Sequence, residues 1–334
     1  MSILSFSGNR RKTRQKVVVI GGGTGSHEVL AGLKNVTNDI TALVNMCDDG
    51  GSTGRLRHDY DVMPPGDLRQ CLVALANDTV AAGLFAYRFE GGELAGHPAG
   101  NIALAALEKQ HGIVAAVEVA GRMLDIAGRV LPATITQHQL VMQDGNETIR
   151  GQEAVRLHVI HEKSVDLHLE PNAALHPEAA QAISEADIVV IAPGGLYWTL
   201  LPVLSLEGMA EALQQTPGKV ICVVDLMNRP EQHQGWHVVD YVKAMGKLIG
   251  EDTIDTVLYN NRPITEELRL RYATAGEMPV GIASERFSEL NAVSVGADLV
   301  AVTPDGQDKA DTAIRRTLIR HDGIKTAAAI QSLL

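Results

Sequence analysis

Val17-Val18-Val19-Ile20-Gly21-Gly22-Gly23-Thr24-Gly25-Ser26-His27-Glu28-Val29-Leu30-Ala31-Gly32-Leu33 is the stretch that decides the fold. Val17–Ile20 reads as a buried β-strand. Four glycines follow within five residues, and then Val29, Gly32, Leu33 and Val36 repeat at i, i+3, i+4 and i+7, the stripe of a packed helix. Strand, glycine turn and helix together open a nucleotide-binding α/β domain. Glycines let the backbone approach an anionic ligand, and a helix N-terminus adds unpaired N–H groups with a partial positive charge. Gly21, Gly22, Gly23, Thr24 and Gly25 are therefore the first candidate ligand contacts, with hydroxyl donors on Thr24 and Ser26. Ser26 stands where a dinucleotide fingerprint needs Gly or Ala, and no Lys follows the last glycine as in a P-loop. The competing reading is a turn whose glycines serve only tight β–α packing.

Outward from this unit, Ile40–Met46, Asp187–Ala192, Lys219–Val224 and Asp255–Tyr259 read as further apolar strands. With the first strand they end in polar or glycine-rich loops at Gly21, Cys47, Pro193, Asp225 and Asn260. In an open parallel sheet these loops share one rim, where ligands bind at the switch in strand order. Pro64-Pro65-Gly66-Asp67 marks a helix start with Asp67 as its N-cap. Further helices are expected after Gly100, over Val114–Ala127 and Pro177–Ala186, around Gly208–Leu213 and Val238–Met245, and from Ile324. Between about residues 130 and 170, short alternating segments (V-L-P-A-T-I, Q-L-V-M-Q, R-L-H-V-I, V-D-L-H-L-E-P) with a hairpin signal at Asp144-Gly145 predict a small antiparallel β insertion.

Twenty-nine basic against 40 acidic side chains leave a net charge of −11. That argues against a sequence-independent nucleic-acid binder, whose affinity rests on neutralising phosphates. No apolar run approaches the roughly 20 residues of a membrane span, and no signal-peptide core is seen, so the expectation is a cytoplasmic protein. Residues 1–15 read as a flexible basic arm. Cys47, Cys71 and Cys222 lack zinc spacing and read as reduced core thiols; His138, His158, His161 and His168 read as strand positions rather than metal ligands.

Asp48 and Asp49 are adjacent carboxylates that at about 4 Å would repel by about 4 kcal/mol at an effective dielectric of 20. They need a cation, a nearby Arg such as Arg55, or divergent directions, and on a strand only one would face the site. Mg²⁺ binding together with substrate phosphates, hydrogen bonds to a ribose or base, and a structural loop all remain open. His97 in G-H-P-A-G-N is a general acid, a phosphate donor or a hydrogen-bonded structural residue; Asn101 is a cap or a ligand contact. Pro193-Gly194-Gly195-Leu196-Tyr197 is a second glycine turn directly after a buried strand. No G-x-S-x-G elbow supports covalent hydrolysis.

The ordered series I-G-G-G-T-G, D-D-G-G-S-T-G-R-L-R, P-P-G-D-L-R-Q-C-L-V-A-L-A, Y-R-F, G-H-x-x-G-N, P-G-G-L-Y, D-L-M-N and R-H-D-G resembles the YvcK-like gluconeogenesis-factor family, which is related to the 2-phospho-L-lactate transferases of deazaflavin cofactor synthesis. The resemblance spans nearly the whole chain. It implies a three-layer α/β/α Rossmann-like fold, with residues 16–334 as one α/β domain like those transferases. It also implies a cytoplasmic, nucleotide-sugar-binding regulator of the UDP-N-acetylglucosamine type, needed for cell shape and wall-precursor balance during gluconeogenic growth. Protein targets in cell-wall metabolism and a homo-oligomer fit such a regulator. By motif position the resemblance assigns Gly21–Gly25, Asp48, Asp49, Asp67, Asn101, Gly194, Gly195, Leu196, Tyr197, Asn228, Tyr272 and Arg315 to the ligand. The family pattern has G-P-G-S where this chain has Ala192-Pro193-Gly194-Gly195, so a hydroxyl is lost at 195. The alternative is a Mg²⁺-dependent transferase of a nucleotide-activated phospho-substrate, with Asp48, Asp49 or His97 as catalytic candidates. A nicotinamide-dependent oxidoreductase rests on the glycine turn alone, and Ser26 counts against it.

Overall fold

The structure, a computed structural model, describes residues 12, 14–162, 165–264, 266, 276–301 and 320–333. Seven strands form one parallel sheet: β1 (Val17–Gly21), β2 (Ile40–Val44), β3 (Arg129–Pro132), β7 (Ile188–Ile191), β8 (Lys219–Val223), β10 (Thr256–Asn260) and β12 (Val293–Ala297). Their order is β12-β10-β8-β7-β1-β2-β3. The chain thus starts mid-sheet, builds outward through β2 and β3, returns to lay β7 on the other side of β1, and then builds the opposite way. The order reverses between β1 and β7, and that is where such a sheet opens a crevice.

Strand alternation divides the interior into two cores. Val18, Ile20, Val189, Ile191, Val220 and Cys222 point into one, shared with Ala179, Ile183, Met209 and Tyr241. Val17, Val19, Ile188, Val190, Ile221 and Val223 point into the other, shared with Leu30, Leu68, Leu72 and Ile330. Helices cover both faces, so the fold is the expected three-layer α/β/α arrangement. Continuous V-V-V-I and I-V-V-I runs suit strands buried on both sides.

A small antiparallel sheet joins β4 (Gln139–Asp144), β5 (Glu147–Arg150) and β6 (Asp166–Glu170) in the order β5-β4-β6, with the β4–β5 hairpin turning at Gly145. A third sheet pairs β9 (Met227–Asn228) with β11 (Met278–Pro279). The insertion differs from expectation at two places. Val130-Leu131-Pro132 belongs to the parallel sheet, pairing with β2 from Thr41↔Arg129 to Val44↔Pro132. The segment R-L-H-V-I is not a strand: Gln152–Leu157 forms a short helix after Gly151, whose φ of 100° breaks from β5. Good helix formers in Q-E-A-V-R-L override an alternation only five residues long.

Three helices position the crevice. α1 (Thr24–Leu33) begins at the glycine turn, α2 (Gly51–Tyr60) follows the loop after β2, and α3 (Pro65–Leu75) runs behind the turn. Asp67 was expected to cap α3. Instead Pro64 occupies the cap position, and Asp67 lies in the first turn with its carboxylate against Gly22 and Gly23. No helix among the described residues is long and apolar enough to cross a membrane.

Candidate functional site

The two glycine turns meet at the switch point. A Cβ on Gly25 would fall 1.7 Å from the carbonyl oxygen of Pro193, so the turn after β1 lies directly on the backbone after β7. A crevice of about 230 Å³ opens beside this contact. Its walls include Gly22–Gly25 at the start of α1 and Gly194-Gly195, together with the loops after β2 and β8. Four of the five loops predicted on the rim therefore converge. The fifth is turned to its own neighbours: Asn260 accepts from the backbone N–H of Leu299 at 3.2 Å and donates to the carbonyl of Arg262 at 2.7 Å.

Asp48 and Asp67 are among the carboxylates that line the crevice. Asp48 accepts from the N–H of Gly50 at 3.1 Å; burial pushes its carboxyl above the usual range, with the charge of Asp49 adding to this, while the Thr53 and Gly50 hydrogen bonds and Arg57 pull it back. Asp67 is pushed up to about 8, first by burial and then by the charge of Asp48. Both glycine turn and helix start are shaped around them. Asp67 oxygens lie 2.9 and 2.5 Å from where Cβ atoms on Gly22 and Gly23 would stand, and an Asp48 oxygen lies 2.8 Å from one on Gly66. Asp225, which also lines the crevice, is raised to about 7 by burial, while Arg229 and the Gly194 N–H pull it back.

Several sequence candidates lie in the scaffold instead. Gly21 ends β1 behind the turn, and the Ser26 hydroxyl, expected to serve the ligand, is buried 2.5 Å from where a Gly21 Cβ would be. Asp49 is not among the wall residues of the crevice. Its two oxygens accept from the N–H groups of Gln152 at 2.9 Å and Glu153 at 2.8 Å, capping the Gln152–Leu157 helix. Asp49→Ala is expected to cost about 1–2 kcal/mol of stability, read from a urea titration; an unchanged midpoint would refute the cap.

His97 and Asn101 belong to one buried chain of hydrogen bonds. Arg69 Nε donates to Asn101 Oδ1 at 2.9 Å, and Asn101 Nδ2 donates to Ser52 Oγ at 3.1 Å. Ser52 Oγ in turn shares a hydrogen bond with His97 Nδ1, 2.8 Å away. Burial and the charges of Arg55 and Arg88 lower the pKa of His97. Asn228 holds the carbonyl of Trp236 at 2.8 Å and accepts from the Tyr241 hydroxyl at 2.9 Å. Leu196 and Tyr197 are buried, Tyr197 stacking on His233. Tyr272 and Arg315 lie outside the described residues; Glu277 and Arg320, which flank those segments, line the crevice. The described residues hold no group of three or more His, Cys, Asp or Glu able to take a metal ion.

Other wall residues carried no motif. Gln70 accepts from the Thr24 hydroxyl at 3.2 Å. Arg156 is paired with Glu153 through contacts of 2.8 and 2.5 Å, and it lies in the segment R-L-H-V-I, whose alternation predicts a strand. Trp198 follows the second glycine turn in a π-helical turn, Leu196–Leu200. Its indole fills the space beside Gly195, 1.8 Å from where a Cβ would stand. The hydroxyl missing at 195 thus has a steric reason.

Comparison with known proteins agrees with this architecture. Residues 17–300 match the family model of the 2-phospho-L-lactate transferase CofD. The chain belongs to the CofD family. A Thermotoga maritima relative is 38% identical over 95% of this chain and 99% of its own. The gluconeogenesis factor of Bacillus subtilis is 33% identical over 96% of this chain and 98% of its own. A crystal structure of a UPF0052-family protein from Bacillus halodurans superposes with a TM-score of 0.86 at 31% identity, covering 96% of this chain and 99% of that one. Within the CofD family, this chain is similar over nearly its whole length to the gluconeogenesis factors.

Proposed function

We propose that the chain is a nucleotide-sugar-binding regulator of the gluconeogenesis-factor kind, taking a UDP-N-acetylglucosamine-type ligand with its diphosphate between the two glycine turns. One observation carries this reading: the start of α1 and Gly194-Gly195 face one crevice at the point where the strand order reverses. Backbone N–H groups at a helix start suit phosphate oxygens. Asp67 lies against the same turn, and once ionised it would repel a phosphate unless a cation stood between them. Asp48 and Asp67, rather than Asp48 and Asp49, are the carboxylates that fit Mg²⁺, which binds through one or two carboxylates with phosphates and water completing its shell. The ion would supply charge neutralisation. The role in cell shape and wall-precursor balance, with protein targets in cell-wall metabolism, follows from the resemblance to gluconeogenesis factors.

A transferase reading has one observation in its favour. Asp225, raised to about 7 and beside Gly194, is poised near neutral pH for proton transfer. Calorimetry with UDP-N-acetylglucosamine is expected to show binding that tightens with Mg²⁺. Absence of heat at millimolar ligand, with and without the ion, would overturn the binding reading; consumption of the ligand by the protein would favour the transferase.

A further inference from the structure

Arg229 stands in the crevice wall with its guanidinium carbon 4.7 Å from the centroid of the Trp198 ring. Its backbone N–H is used, donating to His233 Nδ1 at 3.0 Å. Its guanidinium N–H groups have no hydrogen-bond acceptor among the described residues. Asp225 and Glu277 act on its charge only through space, and burial is the largest influence, lowering its pKa. Arg156, by contrast, is committed to Glu153. A guanidinium offers five donors in a fixed fork, and in the crevice wall these remain available to a ligand.

Trp198 supplies the second part. Only 7% of the residue is exposed, yet its indole N–H has no partner among the described residues. The ring cannot serve as a stacking platform for a base. One region of it is pressed against Gly195, where Cε2, Cζ2 and Nε1 would lie 1.8, 2.1 and 2.3 Å from a Cβ, and Arg229 rests over the ring. The Nε1–H therefore occupies the place that a side chain at 195 would fill, and it can only donate.

We propose that Trp198 Nε1–H and the Arg229 guanidinium form a donor-only subsite for the second phosphoryl group of the ligand. The subsite distinguishes a nucleoside diphosphate from a monophosphate. An acceptor-only, charged phosphoryl group, whether terminal or carrying a sugar, satisfies both donors, whereas a hydroxyl or amide offers at most one suitable oxygen and no charge. The cation–π contact holds the guanidinium in place before the ligand arrives, so less ordering is needed on binding. This deepens the nucleotide-sugar reading and rests on it for the identity of the nucleotide.

The test is calorimetry of UDP, UMP and inorganic pyrophosphate, each with Mg²⁺, against the wild-type chain, Arg229→Gln and Trp198→Phe. Trp198→Phe keeps an aromatic ring for Arg229 while removing the N–H donor along with part of the packing on Gly195; circular dichroism checks that both variants fold. Wild-type protein is expected to bind UDP at least roughly tenfold tighter than UMP. Arg229→Gln is expected to lose roughly tenfold for UDP and pyrophosphate and to leave UMP unchanged, with a smaller loss of a few-fold in Trp198→Phe. Folded variants that keep the wild-type UDP-to-UMP ratio overturn the subsite while the nucleotide reading stands. If wild-type protein binds pyrophosphate but no nucleotide, and Arg229→Gln abolishes that binding, the nucleotide reading fails and the subsite stands. No binding of any of the three overturns both.

Discussion

Gly25→Ala is expected to lower the stability of the fold by about 3 kcal/mol or more, and to abolish ligand binding in whatever fraction still folds. The reason is a backbone-on-backbone contact. The new Cβ would stand 1.7 Å from the Pro193 oxygen and 2.7 Å from its carbonyl carbon. Neither side can withdraw. β1 and β7 are paired from Val17↔Ile188 to Ile20↔Ile191, and the Ala192 N–H donates to the Ile20 carbonyl at 2.9 Å just before the contact. Parting the turns would therefore open the sheet at its centre. Gly83→Ala is the matched control: a Cβ there meets nothing within 4 Å, and in a helix the change is expected to stabilise by about 1 kcal/mol or less. Urea titrations of both variants decide the point, and a Gly25→Ala midpoint equal to wild type would remove the close approach from the account.

That contact also explains what the sequence discloses and what it withholds. The β1 run and its glycine turn were legible because burial on both faces leaves no alternation and a close approach leaves no side chain. The same logic located Pro193-Gly194-Gly195. Side-chain direction was not legible. Asp48 and Asp49 are chemically alike in sequence, and only the Gln152–Leu157 helix, 103 residues on in the chain, selects which one serves as its cap. Asp67 resembled a cap because Asp caps helices, yet Pro64 holds that position and frees the carboxylate for the turn. For His97 and Asn101 the sequence leaves a structural and a ligand role open, because both are polar and near a helix start; a third polar partner, Ser52, joins them into one hydrogen-bonded chain. Arg229 and Trp198 belong to no spacing rule, since they meet across two loops.

Asp67→Asn is expected to make the unliganded protein more stable at pH 8 and less able to bind. Its folded-state pKa of about 8 lies above the ordinary carboxylate value of 3.8. A raised value means that the folded chain holds the proton more tightly than the unfolded one. The stability associated with that proton is complete below about pH 4 and is lost as pH rises towards 8. Asn is neutral throughout and nearly the same shape, so the variant loses this slope. Each pKa unit corresponds to about 1.4 kcal/mol, and a gain of about 3 kcal/mol at pH 8 is expected after allowance for the charge of Asp48 that remains. Loss of a favourable acidic group near the start of α3 offsets this by less than about 1 kcal/mol. Mg²⁺ with a nucleotide diphosphate should reverse the order. It relieves the Asp48–Asp67 repulsion in the wild type and so raises its melting temperature more at pH 8 than at pH 6, whereas the variant should gain little. Melting curves at both pH values, with and without ion and ligand, supply the check. A variant that keeps the wild-type pH slope would show that Asp67 is not the titrating group, and one that keeps the full Mg²⁺ response would remove it from the cation site.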